Sequence, residues 1–171
     1  AITRAQSAGI IFVAAAGNDS SNNDLIPNYP SNYTLGNIIA VASSTRNDVL
    51  SDFSNYGATS VDLAAPGSEI WSTYIGTKKS NLNANNLYAE LSGTSMATPL
   101  VAGASALLIS QFPNENYVSI KDRLLTGTNK LTALAGTCVS GGRLNLYNSL
   151  LDITPRPPPT PRPAPTPLPT P

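Results

Sequence analysis

Ser95 lies in "GTSMATP" (residues 93–99), between a Gly-Thr turn and the start of a long apolar segment. A serine at the first turn of a helix is well placed to act as a nucleophile. The helix amides there have no intrahelical acceptor and face any anion formed beside the hydroxyl. The hydroxyl still needs a base to take its proton, and the chain contains no histidine. Gly followed by Thr and Ser is also ordinary helix N-cap composition. The motif is not the G-x-S-x-G nucleophile elbow either, because Ala97 stands where the second glycine belongs. A second group sharpens the case: "AAAGN" (residues 14–18) closes an apolar run with a glycine and an asparagine. Ligands of parallel-sheet proteins bind outside the carboxyl ends of the strands, so Asn18 is expected to project its amide into a cleft. On its own, Gly-Asn-Asp-Ser is common turn composition.

The elements that must carry these residues are legible as hydrophobic runs. "IIFVAAA" (10–16), "NIIAVAS" (37–43) and "SVDLAAP" (60–66) predict strands buried on both faces of a parallel sheet. Residues 69–92 alternate aromatic and polar positions around an Asn-rich centre and predict a hairpin with its lysines and asparagines exposed. Residues 94–111 are apolar on almost every face and predict a buried central helix, with Pro99 accommodated in its first turn. A second helix is expected after Pro113 through "NENYVSIKDRLL", with Val118, Ile120, Leu124 and Leu125 on its inner face. "GGRLNLYNSLLD" predicts a short last helix, and "AITRAQSAG" the end of a first one closed by Gly9. The fold class is α/β with a mostly parallel sheet.

Residues 155–171 are mostly proline. Such a stretch lacks the donors for a ladder and the apolar side chains for a core, so residues 153–171 are expected to form a disordered Pro-rich linker after a domain spanning 1–152. A ligand for a proline-binding module is the less common alternative. Ten acidic and ten basic residues leave a formal charge of zero, so nothing attracts nucleic acid or an anionic membrane. The apolar runs are too short to span a bilayer. Charged residues make up only 12% of the chain, a profile that suits a secreted or otherwise extracytoplasmic protein. Cys138 is the single cysteine, expected as a small buried hydrophobe, and Asn32-Tyr33-Thr34 has the glycosylation pattern.

Taken together and in this order, "VAAAGN", "SNYGATSVDLAAPG" and "GTSMATPLVAGASALL" resemble the C-terminal half of the subtilisin-like serine peptidases. The resemblance runs from residue 1 to about 151. It implies a three-layer fold and a serine endopeptidase acting through an acyl-enzyme on Ser95, with Asn18 supplying an oxyanion-hole amide and Thr94 supporting it. It also implies that Ala15, Ala16, Gly17 and Asn28 line the substrate site, and that the Tyr29–Pro30 bond is cis. Asp62 resembles an aspartate that binds a weak cation with backbone carbonyls following Pro30, so a structural Ca2+ or monovalent cation is possible although no cofactor is required; a lone aspartate at a strand end is otherwise solvated or hydrogen-bonded. The family orders its triad Asp, His, Ser, which places both missing members upstream of Ala1 and makes residues 1–171 inactive without that half. Leu100 stands where the family usually carries a non-catalytic histidine. The competing functions are a non-catalytic pseudoprotease and a peptide-binding or scaffold module with a Pro-rich stalk.

Overall fold

A computed structural model describes residues 1–74 and 88–151. In chain order the elements are α1 (Ile2–Ser7), β1 (Phe12–Ala15), β2 (Ile38–Ser44), β3 (Leu63–Pro66), β4 (Ile70–Thr73) and β5 (Tyr88–Leu91). They are followed by α2 (Thr94–Gln111), α3 (Tyr117–Thr126), β6 (Asn129–Lys130), a 3₁₀ turn (Thr132–Leu134), β7 (Gly142–Arg143) and α4 (Leu146–Leu151). The main sheet has the order β1-β2-β3-β7-β6, parallel except for the β6–β7 pair.

The three expected core strands are present, β1 and β3 shorter than their apolar runs and β2 of the expected length, one residue further on. Every residue of β2 is buried, as a central strand covered on both faces requires. The register pairs Val13 with Ile39 and Ala14 with Ala40, then Val41 with Leu63 and Ala42 with Ala64. Alternation along each strand then divides the core into two layers. Ile39, Val41, Leu63 and Ala65 face Ala97, Val101, Ala104 and Leu108 of α2 and Ile120 and Leu124 of α3. On the other side Ala16, Ala42, Val61 and Ala64 meet Leu134 and Cys138 from the segment before β7. Each fully buried leucine or isoleucine contributes about 1.5–3 kcal/mol relative to exposure.

Helix α2 has the expected bounds, but only one of its faces is covered among the described residues: Leu100, Leu107 and Ile109 are exposed. Pro99 lies in the second turn of α2, not the first, so its nitrogen offers no hydrogen to the Ser95 carbonyl four residues back. Asn116 caps α3 by accepting the Ser119 amide. Ile120 and Leu124 point inward as expected, whereas Val118 is exposed and its place is taken by Arg123. That guanidinium is held by both oxygens of Glu115 (2.6 and 2.8 Å) and lies over the Phe112 ring, which makes burial of a charge tolerable. The last helix is also shorter than expected, because Gly142 and Arg143 belong to β7. Gly9 closes α1 with φ +72°, its amide and that of Ile10 returning to Gln6 and Ala5.

The hairpin is formed by β4 and β5, antiparallel from Ile70–Leu91 to Thr73–Tyr88; its expected Lys- and Asn-rich centre and the Pro-rich linker lie outside the described residues. Cys138 is buried and free. Among the described residues no helix is long and apolar enough to cross a membrane.

Candidate active site

Three chain segments meet at the carboxyl end of the sheet: the turn after β1, the segment after β3 and the start of α2. The Gly93 amide donates to the Gly67 carbonyl at 2.7 Å, which seats the turn carrying Ser95 on the end of β3. A side chain at Gly67 would strike Ser43 Oγ and the Gly93 carbonyl, so a residue with a Cβ cannot make this contact without displacing the turn. Ser95 itself is exposed on the first turn of α2, while Thr94 beside it is fully buried.

Thr94 locks α2 to the β1 turn. Its amide and its hydroxyl each donate to Asn18 Oδ1 at 2.9 Å, and its Oγ1 accepts the Gly17 amide at 3.3 Å. A backbone amide can only donate, so the carbonyl side of the Asn18 side chain is assigned to Thr94. Asn18 Nδ2 is thereby turned the other way. An atom placed at the β position of residue 93 would lie 3.5 Å from Asn18 Nδ2 and 3.6 Å from Ser95 N. The two donors border one small space, and glycine at position 93 keeps it open. The amide of Ser95 is among the helix-start donors without an intrahelical acceptor, and the positive end of the α2 dipole lies there.

The turn is held from beneath by neutral amides. Ala16 carbonyl accepts both Asn23 Nδ2 and Asn28 Nδ2 at 2.9 Å. Asn55 Oδ1 accepts the amides of Asp19 and Ser21 (2.8 and 3.1 Å), its Nδ2 donates to Asn23 Oδ1, and its own amide donates to the Gly17 carbonyl. Gly17 has φ +117°, and a Cβ there would collide with the side-chain nitrogens of both Asn28 and Asn55. The position therefore demands glycine twice over, for its backbone angle and for its neighbours.

The structure thus brings Ser95, Thr94, Asn18 and Gly17 together, whereas Ala15 ends β1 and Ala16, expected in the substrate site, is fully buried with its carbonyl taken by Asn23 and Asn28. Asn28 is adjacent, but its side-chain amide is spent on the Ala16 carbonyl, so it holds the wall of the site. The Tyr29–Pro30 bond is cis. Asn32 donates to the Asn23 carbonyl and accepts the Asn28 amide, so this sequon asparagine is part of the same scaffold. Asp62 lies apart, at the amino end of β3, with Oδ1 on Lys121 Nζ and Oδ2 on the Ala40 amide, both at 2.8 Å. Asn23, Asn55 and Gly67 were missed in the sequence. The available signal was position: Asn55 and Gly67 stand in the "SNYG…LAAPG" segment, where a buried amide and a glycine after a strand mark built turns.

A family model described as the subtilase family matches residues 1–142. Thermitase of Thermoactinomyces vulgaris is 43% identical over 150 residues, covering 88% of this chain and 47% of thermitase. Subtilisin BL of Lederbergia lenta is 38% identical over 149 residues, covering 87% of this chain and 46% of its own length. Thus the chain spans about half the length of these relatives. Among solved structures, a Pseudoalteromonas arctica protease aligns with a TM-score of 0.73 at 33% identity, over 87% of this chain and 44% of that one. A lanthipeptide protease aligns with a TM-score of 0.73 at 23% identity, covering 85% and 51% of the two chains, and supports the fold.

Proposed function

Because the chain belongs to the subtilase family, we propose that it carries the nucleophile and oxyanion hole of a secreted serine endopeptidase. Ser95 Oγ attacks the carbonyl carbon of a peptide bond, and its proton passes to an imidazole. The carbonyl oxygen becomes an oxyanion between Asn18 Nδ2 and the Ser95 amide. Collapse expels the amine, which receives that proton, and leaves an acyl-enzyme that water hydrolyses. The observation that carries this reading is that Asn18 Nδ2 and the Ser95 amide both border the space beside Gly93. Donors fixed in advance stabilise developing charge without reorganising, which is where such sites gain most of their rate.

Residues 1–171 contain no histidine, so in this reading an imidazole from polypeptide outside them serves as the base. Ala15 and Gly17 border the substrate chain, with Asn28 and Asn23 fixing the turn through the carbonyl of the buried Ala16. The decisive experiment compares residues 1–171 with the full polypeptide on a peptide ester. The full protein is expected to turn over with a burst that titrates Ser95, and residues 1–171 not to turn over at all. Ser95-dependent turnover by residues 1–171, or an unaltered rate in full-length Ser95→Ala, overturns the reading.

A further inference from the structure

A metal ion at Asp62 needs oxygen ligands that are free to coordinate it, since Ca2+ collects six to eight oxygens at about 2.3–2.6 Å. Both side-chain oxygens of Asp62 already have a partner. Its Oδ2 accepts the Ala40 amide of β2, and its Oδ1 is 2.8 Å from Lys121 Nζ. The same ammonium donates to the Ile38 carbonyl at the start of β2, at 2.6 Å. The carboxylate expected to hold a metal ion therefore holds an ammonium, which a backbone carbonyl shares. Both side chains of the pair are largely withdrawn from solvent, at 22% and 15% exposure.

Asp62, Lys121 and Ile38 line a cavity of about 420 Å3 whose other walls come from Asn23, Asp24, Pro27 and residues 31–36 and 59–60. Asp24 is the only other carboxylate in its lining, and it is engaged by the amide and hydroxyl of Thr59 and the amide of Ser60. A second cation would have to share its ligands with a fixed positive charge a few ångströms away, which Coulomb repulsion in a partly buried site opposes. The donor set does not fit an added ion.

We propose that the Lys121 ammonium is the resident cation of this site, a tethered replacement for a metal ion, so that the amino ends of β2 and β3 are tied to α3 without one. Truncating the lysine leaves a carboxylate, a carbonyl and a polar cavity, which together make a latent site for a hard cation. The test uses the full-length protein in four forms: wild type, Asp62→Asn, Lys121→Ala and Lys121→Arg. Bound calcium is measured by equilibrium dialysis, and thermal unfolding is followed in excess chelator and in millimolar calcium chloride or potassium chloride.

Wild type, Asp62→Asn and Lys121→Arg are expected to bind equal numbers of calcium ions. Lys121→Ala is expected to lose roughly 3–8 °C of Tm in chelator and to recover more of it with added cation than wild type gains. A calcium ion lost from wild type on Asp62→Asn overturns the proposal, as does a Lys121→Ala protein whose Tm ignores both cations. If Lys121→Ala does not fold, the stoichiometries of the other three forms decide.

Discussion

The two ends of the parallel sheet are anchored by different chemistry. At the carboxyl end, the loop bearing Asn18 and the turn bearing Ser95 are held by Asn23, Asn28, Asn55 and Thr94, all neutral. At the amino end, Asp62 joins β2 to α3 through a charged lysine. The difference follows from what each end must do. In the proposed mechanism a carboxylate anchor close to Ser95 would repel the oxyanion, whereas an asparagine gives donor and acceptor in one side chain and no net charge. The amino end stabilises no anion, and an ion pair with its remaining oxygens satisfied is an adequate clamp.

The largest expected effect isolates the carboxyl end. In the full-length protein Ser95→Ala is expected to lower kcat by about 10⁶, a magnitude carried over from the equivalent serine of subtilisin, a member of the same family. Ser95 is exposed, so Tm is expected to move by less than about 2 °C. Lys121→Ala should show the reverse pattern, a stability loss with little change in kcat per folded molecule. A kcat effect of Lys121→Ala as large as its stability effect, with both measured by active-site titration and calorimetry, breaks the division between the ends.

Asn18 comes next. Replacing it with leucine removes both the Nδ2 donor and the acceptor for Thr94, so structure and chemistry are confounded. Asn18→Asp separates them, because a carboxylate keeps the acceptor for the Thr94 amide and hydroxyl while replacing the donor. The expected result is kcat lower by at least about 10²–10³, again the subtilisin magnitude, with KM nearly unchanged. An Asn18→Asp protein with wild-type kcat removes Asn18 from the oxyanion hole.

How much of this arrangement the sequence revealed depends on whether a residue acts locally or across the fold. The bounds of α2 were legible because a glycine turn and an apolar helix leave local patterns, whereas the joining of Ser95 with Asn18 rested on the resemblance to the subtilisin-like peptidases. The covering of α2 was not: its apolar faces look alike in sequence, and only the packing shows that Val101 and Leu108 are inside while Leu107 is outside. Val118 was misplaced for a related reason, since Arg123 takes the inward position once Glu115 and Phe112 neutralise and cover it. Strands of two residues, such as β6 and β7, carry no period at all. Asp62 was singled out as a cation ligand, but its partner is an ammonium 59 positions away on another element, and nothing in "VDLAAPG" points to Lys121.

Asn55 tests the neutral scaffold itself. Alanine there leaves the amides of Asp19 and Ser21 without their acceptor and Asn23 Oδ1 without its donor, inside a buried pocket. Unsatisfied buried groups cost about 1–3 kcal/mol, so Asn55→Ala is expected to lower stability by roughly 2–4 kcal/mol, read by chemical denaturation. The Gly17 turn should also loosen, lowering kcat without removing any donor. A stable Asn55→Ala protein with normal kcat shows that Asn18, Asn23, Asn28 and Thr94 hold the turn without Asn55.

The smallest expected effect concerns acid, which acts on carboxylate anchors and leaves asparagines untouched. Partial burial tends to raise the Asp24 carboxyl, but the donors of Ser60 and Thr59 outweigh it and hold the group below its ordinary value of 3.8. A carboxyl lowered on folding adds stability that is fully present above the unfolded value. That stability is lost as pH falls through the folded one, so the window lies below about pH 4. Asp24 is exposed, and solvent screening limits its contribution to less than about 1 kcal/mol. Asp24→Asn should therefore reduce stability slightly at neutral pH, because the amide cannot accept all the bonds from Thr59 and Ser60. The gap from wild type should narrow below pH 4, once both side chains are uncharged. A gap that stays constant from pH 7 to pH 3 in urea unfolding assigns the role of Asp24 to shape alone and removes charge from this side of the comparison.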